Sequence, residues 1–158
     1  MTAKTGIGQD SHAFEETPGK PLILAGIKLN YPIGLKGNSD ADVVLHSITN
    51  AISSITGRNI LGLVADQLFQ EGVTDSSKYL KLALDDLGDW KISHIAIAIE
   101  CLNPKISPQI DSMKKNIAKL CLIDKTDIGI TATTGEGLTA FGKGEGIQAI
   151  TIITVNKS

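Results

Sequence analysis

The chain has 158 residues, a length that suits one domain spanning residues 1–158 around a buried core. Hydrophobic residues make up 42% of it and the net charge is −2, which argues against a surface for nucleic acid or for an anionic membrane. We expect a cytoplasmic protein without a transmembrane helix or a signal or transit peptide, because no run of 18 apolar residues occurs and residues 1–4 lead directly into structure.

The first third of the chain predicts a strand, a hairpin and a helix. Residues 5–14 form the predicted strand and residues 21–31 the predicted hairpin, and each contains glycine. Ser39 suits the N-cap of the helix, with Asp42 reaching back to it in the manner of a capping box, and Gly57 suits the C-terminal end.

The remainder predicts two helices and three strands. Apolar residues at helical spacing indicate helices over residues 76–87 and after Pro108. Apolar runs indicate strands over residues 92–101, 128–133 and 147–155. This order of elements predicts an α/β (α+β) fold, a single-domain sandwich of a mixed β-sheet with helices packed on one face.

Asp10, His12 and His46 are the ligand set that the sequence offers for a metal ion. Residues i and i+2 of a strand point to the same face, so Asp10 and His12 can converge on one ion while His46 arrives from the predicted helix. A catalytic zinc keeps three such ligands and leaves one position open for water or substrate. The alternative is that Asp10 is a turn residue and the histidines are surface or core residues, since two-ligand motifs recur by chance.

The start of the predicted helix is a candidate phosphate site. His46 follows Asp42 by four residues, so both would project from one face of the helix. Residues 39–41 would offer free backbone N–H groups and the positive end of the helix dipole, where a phosphate could bind beside a metal. Simple capping by the acidic residues is the alternative.

Two loops are further candidates for anion binding. Residues 135–146 contain five glycines and follow two threonines, a composition that suits a concave set of backbone donors, although a plain hairpin connection explains it equally. Residues 103–108 hold Lys105 between two prolines ahead of a helix, which suits a phosphate contact or a rigid connector.

In combination these segments resemble the 2-C-methyl-D-erythritol 2,4-cyclodiphosphate synthase family over nearly the whole chain. The matching motifs, in order, are Gly-x-Asp-x-His, Ser-Asp-x-Asp-Val-x-x-His, Pro-Lys, and Ala-Thr-Thr-x-Glu followed by Gly-Lys-Gly-Glu-Gly-Ile. The resemblance implies a phosphorus–oxygen lyase of non-mevalonate isoprenoid biosynthesis. Such an enzyme cyclises the cytidine diphosphate-linked substrate 4-diphosphocytidyl-2-C-methyl-D-erythritol 2-phosphate and releases CMP. It also implies a homotrimer with active sites between subunits.

The resemblance also implies roles for individual residues. Asp10, His12 and His46 would hold Zn²⁺ or another divalent cation, and Glu136 would contribute to a site for a second one, Mg²⁺ or Mn²⁺. Thr134 matches a threonine that stabilises the transition state, and Asn38 stands where the family has a histidine with that role. The substrate-binding positions implied are Asp10, Ser11, His12, Ser39, Asn59, Ile60, Leu61, Asp66, Asn103, Pro104, Lys105, Ile106, Ser107, Thr133, Gly135, Glu136 and Lys143.

Departures from the family pattern concentrate around the substrate. Asn38 replaces the usual histidine, residues 58–61 replace Gly-Asp-Ile-Gly, residues 64–66 keep only the aspartate of Phe-Pro-Asp, Gly137 replaces a lysine and Lys143 an arginine. An amide donates a hydrogen bond but carries no charge. Two alternatives therefore stay open: a diverged paralogue, non-catalytic or altered in specificity, that binds nucleotide or isoprenoid phosphate, and a zinc-dependent hydrolase that activates water.

Overall fold

The computed structural model describes residues 1–157, which form one mixed sheet, a short hairpin and four α-helices. The elements in chain order are β1 (Thr2–Ala13), β2 (Ile23–Leu24), β3 (Ile27–Lys28), α1 (Val43–Thr56), α2 (Leu63–Gln70), α3 (Ser76–Asp86), β4 (Lys91–Glu100), α4 (Ile110–Cys121), β5 (Ile128–Thr133) and β6 (Gly146–Lys157). Among residues 1–157, none of the helices is both long and apolar enough to cross a membrane.

The sheet has the strand order β1–β6–β4–β5. β6 is antiparallel to both of its neighbours, whereas β4 and β5 run parallel, so the predicted mixed sheet is confirmed. In this register His12 lies opposite Ile147, and Glu100 lies opposite both Gln148 and Thr133. The C-terminal ends of β1, β4 and β5 therefore meet the N-terminal end of β6 at one end of the sheet.

One face of the sheet carries the helices, as predicted. Every second residue of β6 from Ile147 to Val155 is fully buried on that face. On β1 the same face presents Gly6 and Gly8, and a Cβ atom at Gly8 would collide with the backbone oxygen of Ser47 in α1. Because these glycines have no side chain, α1 lies directly against β1.

The opposite face of the sheet is not covered by any element within residues 1–157. Ile7 of β1 lies opposite Ile152 of β6 and next to Ile150, and these three side chains are 61%, 45% and 38% exposed, respectively. Neighbouring exposed isoleucines on the edge strand β1 and the adjacent strand β6 form an apolar patch of the kind that marks an interaction surface.

The start of α1 differs from the prediction, since the N-cap is Asp42 and not Ser39. The Oδ1 atom of Asp42 accepts hydrogen bonds from the backbone N–H groups of Val44 (3.1 Å) and Leu45 (3.0 Å). Ser39 instead closes a preceding turn, because its Oγ accepts a hydrogen bond from the Ala41 N–H at 3.0 Å. The capping box was wrong because an aspartate that follows a tight turn is itself a strong N-cap.

The helix α2 was not predicted from the sequence. None of the residues 63–70 is fully buried, and Leu63 is 88% exposed. An apolar residue on the solvent side disrupts the helical hydrophobic pattern on which such predictions depend. The other predicted helices and strands agree with the structure to within a few residues at their ends.

Candidate active site

The three predicted metal ligands lie together where β1 meets α1. The Oδ2 atom of Asp10 lies 3.0 Å from Nδ1 of His46 and 3.3 Å from Nε2 of His12. One ligand atom from each residue falls within 4.8 Å of the other two. A carboxylate oxygen and two imidazole nitrogens at this spacing suit a zinc ion with one open coordination position.

The electrostatics of Asp10 favour its ionised form. Burial alone would raise the pKa of Asp10, but the contacts of its carboxylate with the His12 and His46 rings outweigh that effect and hold the pKa below its ordinary value. A carboxylate that is already ionised is ready to bind a cation. The rings of His12 and His46 lie edge to face, with centroids 6.2 Å apart.

The far side of the His46 ring is also hydrogen-bonded. Its Nε2 atom lies 2.7 Å from the Oγ atom of Ser76, the first residue of α3. The Ser76 hydroxyl in turn donates to the carboxylate of Asp40. Sequence reasoning missed Ser76, because thirty residues separate it from His46.

A cavity of about 320 Å³ opens beside these ligands. Its lining includes four further positions that the family resemblance implied, Asn38, Ser39, Leu61 and Asp66. The positions that sequence reasoning missed are Asn50, Gly62, Ala65, Phe69 and Tyr79. Asn50 could have been found from the sequence, because it follows His46 by four residues on α1 and so lies on the same face of the helix.

Three other implied positions lie away from this cavity. Ile60 is fully buried in the core, and Asn59 beside it is exposed; neither lines the cavity. Ser11 points to the opposite side of β1 from Asp10 and His12, as alternation along a strand requires. It borders a smaller cavity of about 120 Å³ whose lining also includes His12, Ala140, Phe141 and Glu145.

The predicted phosphate site at the helix start is not supported. The prediction required free N–H groups at residues 39–41, but the Asp40 N–H donates to the Thr74 oxygen (2.9 Å) and the Ala41 N–H donates to the Ser39 Oγ atom (3.0 Å). The side chain of Asp42 does not share a face with His46 at the cavity, because it is fully buried and also bonds the N–H groups of Ala25 and Gly26.

The remaining implied residues form a second group, the loop cluster, which comprises residues 103–107 and 133–143. The two loops are joined by backbone hydrogen bonds, from the Leu102 N–H to the Phe141 oxygen (3.0 Å) and from the Cys101 N–H to the Thr133 oxygen (3.1 Å). The side chains of Lys105 and Lys143 are exposed within it. The loop cluster therefore offers two exposed cationic side chains and the backbone groups of two connected loops, which are the kinds of donor that an anion site uses.

The turn that carries Thr134 and Glu136 is tightly folded. The Oγ1 atom of Thr134 faces the Glu136 N–H at 3.5 Å, and Glu136 adopts a left-handed backbone with φ of 53°. Gly135 packs against the side chain of Glu100, where a Cβ atom would collide with the carboxylate. Glu136 itself is exposed, so its carboxylate is accessible to a cation.

The metal ligands and the loop cluster lie at the same end of the sheet but on different strands. Asp10 and His12 are on β1, whereas Thr133 ends β5 at the other edge. Three strand spacings separate these edges, a distance of about 14 Å. Within one copy of the chain, Thr133 and Thr134 therefore lie far from Asp10, although Ala140 and Phe141 of the loop cluster line the smaller cavity beside His12.

This fold and this Asp-His-His group define a metal-binding α/β enzyme family. A sequence profile described as the YgbB family matches residues 3–156, and the chain belongs to that family. A relative from Chlamydia caviae named 2-C-methyl-D-erythritol 2,4-cyclodiphosphate synthase is 50% identical over 155 residues, which are 96% of this chain and 88% of the relative. The predicted family membership and enzyme class are confirmed.

Solved structures are similar to this fold over its whole length. The bifunctional IspDF from Campylobacter jejuni is 31% identical with a TM-score of 0.89, and the match covers 99% of this chain and 43% of that longer chain. The CDP complex of IspF from Plasmodium falciparum is 27% identical with a TM-score of 0.83, covering 99% of this chain and 97% of that one.

Proposed function

We propose that this chain converts 4-diphosphocytidyl-2-C-methyl-D-erythritol 2-phosphate to 2-C-methyl-D-erythritol 2,4-cyclodiphosphate and CMP. The observation that carries the proposal is the Asp10, His12 and His46 group beside a cavity, in a chain that is 50% identical to a named synthase. The 2-phosphate of the substrate attacks the β-phosphorus of its own cytidine diphosphate arm, and CMP leaves with the electrons of the broken P–O bond. The protein therefore needs to position the two phosphates and neutralise their charge.

Positioning and charge neutralisation are divided between the Asp10, His12 and His46 group and the loop cluster. A Zn²⁺ bound by Asp10, His12 and His46 would polarise a diphosphate oxygen. Asn38 on the cavity wall can donate an amide hydrogen bond to a phosphate. In the loop cluster, the two exposed lysines supply positive charge to the cytidine phosphates, and Thr134 can donate its hydroxyl hydrogen to the phosphate that reacts.

A second divalent cation, Mg²⁺ or Mn²⁺, would have Glu136 as a protein ligand and would neutralise phosphate charge. The exposed carboxylate of Glu136 and the preference of these ions for oxygen ligands support this assignment. We expect Glu136→Gln to need a higher Mg²⁺ concentration for half-maximal turnover while zinc content stays unchanged. An unaltered Mg²⁺ dependence would exclude Glu136 as a ligand.

We further propose that the active protein is a homotrimer with each active site between two copies. Two observations support this: within one chain the end of β5 that leads into Thr134 lies three strand spacings, about 14 Å, from β1, and the sheet carries an uncovered apolar patch. A neighbouring copy packed on that patch could bring its loop cluster to the cavity. Light scattering should give three times the chain mass of 16.7 kDa, and a monomer at micromolar concentration would contradict the assembly.

The decisive experiment incubates purified protein with the diphosphocytidyl substrate and Mg²⁺ and follows the products. Release of CMP with the cyclic diphosphate supports the proposal. Release of inorganic phosphate would instead indicate the zinc-dependent hydrolase, and binding without turnover would indicate the diverged paralogue that the changes at Asn38, Asn59 and Gly137 leave open. His12→Ala and His46→Ala should both lose zinc, and undiminished zinc in elemental analysis would reject the ligand assignment.

A further inference from the structure

We propose that Ser76, oriented by Asp40, is a positioning residue that sets which nitrogen of His46 is available to the metal ion. The inference rests on the proposed metal binding at His46. Its basis is a chain of contacts in which Nδ1 of His46 faces Asp10 at 3.0 Å while Nε2 faces the Ser76 Oγ atom at 2.7 Å. Ser76 is fully buried, so water does not compete for this contact.

The direction of the hydrogen bonds follows from the number of hydrogens. The Ser76 hydroxyl has one hydrogen, and its Oγ atom contacts the carboxylate of Asp40, which only accepts when ionised. The hydroxyl therefore donates to Asp40, and its oxygen is left to accept from Nε2–H of His46. Since Nε2 then carries a proton, the Nδ1 lone pair is directed to the side where Asp10 and His12 lie.

Asp40 is itself held in place by the backbone. One of its oxygens accepts from the Ser76 N–H at 3.0 Å, and the other accepts from the Asp42 N–H at 3.1 Å. The His46 ring also rests against the Tyr79 ring, with centroids 6.1 Å apart. Asp40, Ser76 and Tyr79 thus fix both the proton and the plane of the ligand before a metal ion arrives.

A fixed hydrogen bond on the far nitrogen is the usual way in which proteins orient a metal-bound histidine and raise its basicity. Here the buried Ser76 hydroxyl lies between His46 and the Asp40 carboxylate, so Asp40 acts on His46 through Ser76 as a relay. Through Ser76, its first residue, α3 holds the His46 ring of α1 in position beside Asp10 and His12 of β1.

The test compares Ser76→Ala with Ser77→Ala, a matched control one residue further along α3 whose N–H bonds to Asp75. Zinc affinity is measured by competition with a chromophoric chelator on the full chain. We expect Ser76→Ala to bind zinc about 10- to 100-fold more weakly than the wild type. The Ser77→Ala control should match the wild type.

A second readout separates positioning from a general structural effect. In the Co²⁺-substituted protein, the Nε2–H proton of His46 should give a paramagnetically shifted NMR signal that exchanges slowly with water, because Ser76 protects it. Ser76→Ala should lose this signal to exchange. Asp40→Asn alone should weaken zinc binding. In a protein that already carries Ser76→Ala, Asp40→Asn should cause no further loss of zinc affinity, because Asp40 acts through Ser76.

Three results would overturn the inference. They are equal zinc affinity in Ser76→Ala and the wild type, a slowly exchanging His46 proton that survives in Ser76→Ala, or additive losses in the double variant. A wild-type protein that binds no zinc would reject the proposed metal site itself, so the failure of that site and the failure of the relay are distinguishable.

Discussion

Asp42 joins α1 to the β2–β3 turn, and Asp42→Ala measures how much that connection stabilises the fold. Its carboxylate accepts from the N–H groups of Val44 and Leu45 in the helix and from those of Ala25 and Gly26 in the turn. Loss of an N-cap costs about 1 kcal/mol, and each turn N–H left without an acceptor costs about 1 to 3 kcal/mol. We expect the free energy of unfolding to fall by about 3 to 7 kcal/mol in total.

Urea unfolding at a fixed protein concentration measures this loss, and Asp75→Ala provides the matched control. Asp75 is also an N-cap, but it is exposed and bonds one N–H group, that of Ser77, at 2.9 Å. Removing this cap should cost about 1 kcal/mol. Equal losses in the two variants would show that the contacts to Ala25 and Gly26 contribute nothing, and the reasoning would be refuted.

Three further changes test other parts of the site and its frame. Asn38→His should raise the rate of CMP release, by less than about 100-fold, because a charged donor replaces a neutral one beside the phosphates; unchanged turnover at intact zinc content would contradict this. Burial raises the pKa of Cys101 from 9.0 to about 11, so at pH 8 iodoacetamide should alkylate it about 100-fold more slowly in the folded protein than in urea, and equal rates would refute this. Gly8→Ala should lower both stability, by about 3 kcal/mol, and zinc affinity, because its Cβ collides with Ser47 and pushes α1 away from β1. The control Gly129→Ala, which meets no atom within 4 Å, should leave zinc affinity unchanged, and equal losses in the two variants would reject the collision.

The grouping of Asp10, His12 and His46 could be predicted from the sequence because it follows from local periodicity. Asp10 and His12 are two residues apart on a strand, and that spacing alone places both side chains on one face. His46 needed only the expectation that a helix follows and covers the sheet. The mixed sheet was predictable for the same reason, since its strands carry clear apolar patterns.

The start of α1 and the whole of α2 could not be predicted in the same way. Ser39 and Asp42 are both good N-cap residues, and the choice between them depends on Ala25 and Gly26, which are distant in sequence and bond only to Asp42. The helix α2 exposes Leu63 and has no fully buried residue. Val64 and Leu68 pack against the core only partly buried, so the apolar face that would have predicted this helix is incomplete.

The contact between Ser76 and His46 likewise could not be predicted from the sequence. Residue type identifies a ligand, because few side chains bind zinc, but any serine can accept a hydrogen bond from a histidine. Only the packing of α3 on α1 selects Ser76. The relay also explains why Asp40 serves a purpose different from that of Asp42, although the two aspartates are two residues apart.

The separation between β1 and α1 connects the fold to the chemistry. The strand supplies two ligands and the helix supplies the third, so the site closes only if the helix axis lies close to the strand. Gly6 and Gly8 make that approach possible, because any side chain there would meet α1 backbone atoms or the side chains of Ser54 and Ile55. Gly6 and Gly8 lie on the same face of β1 as Asp10 and His12. The face that carries these two side chains is therefore also the face that α1 can approach closely, and this approach brings His46 within reach of them.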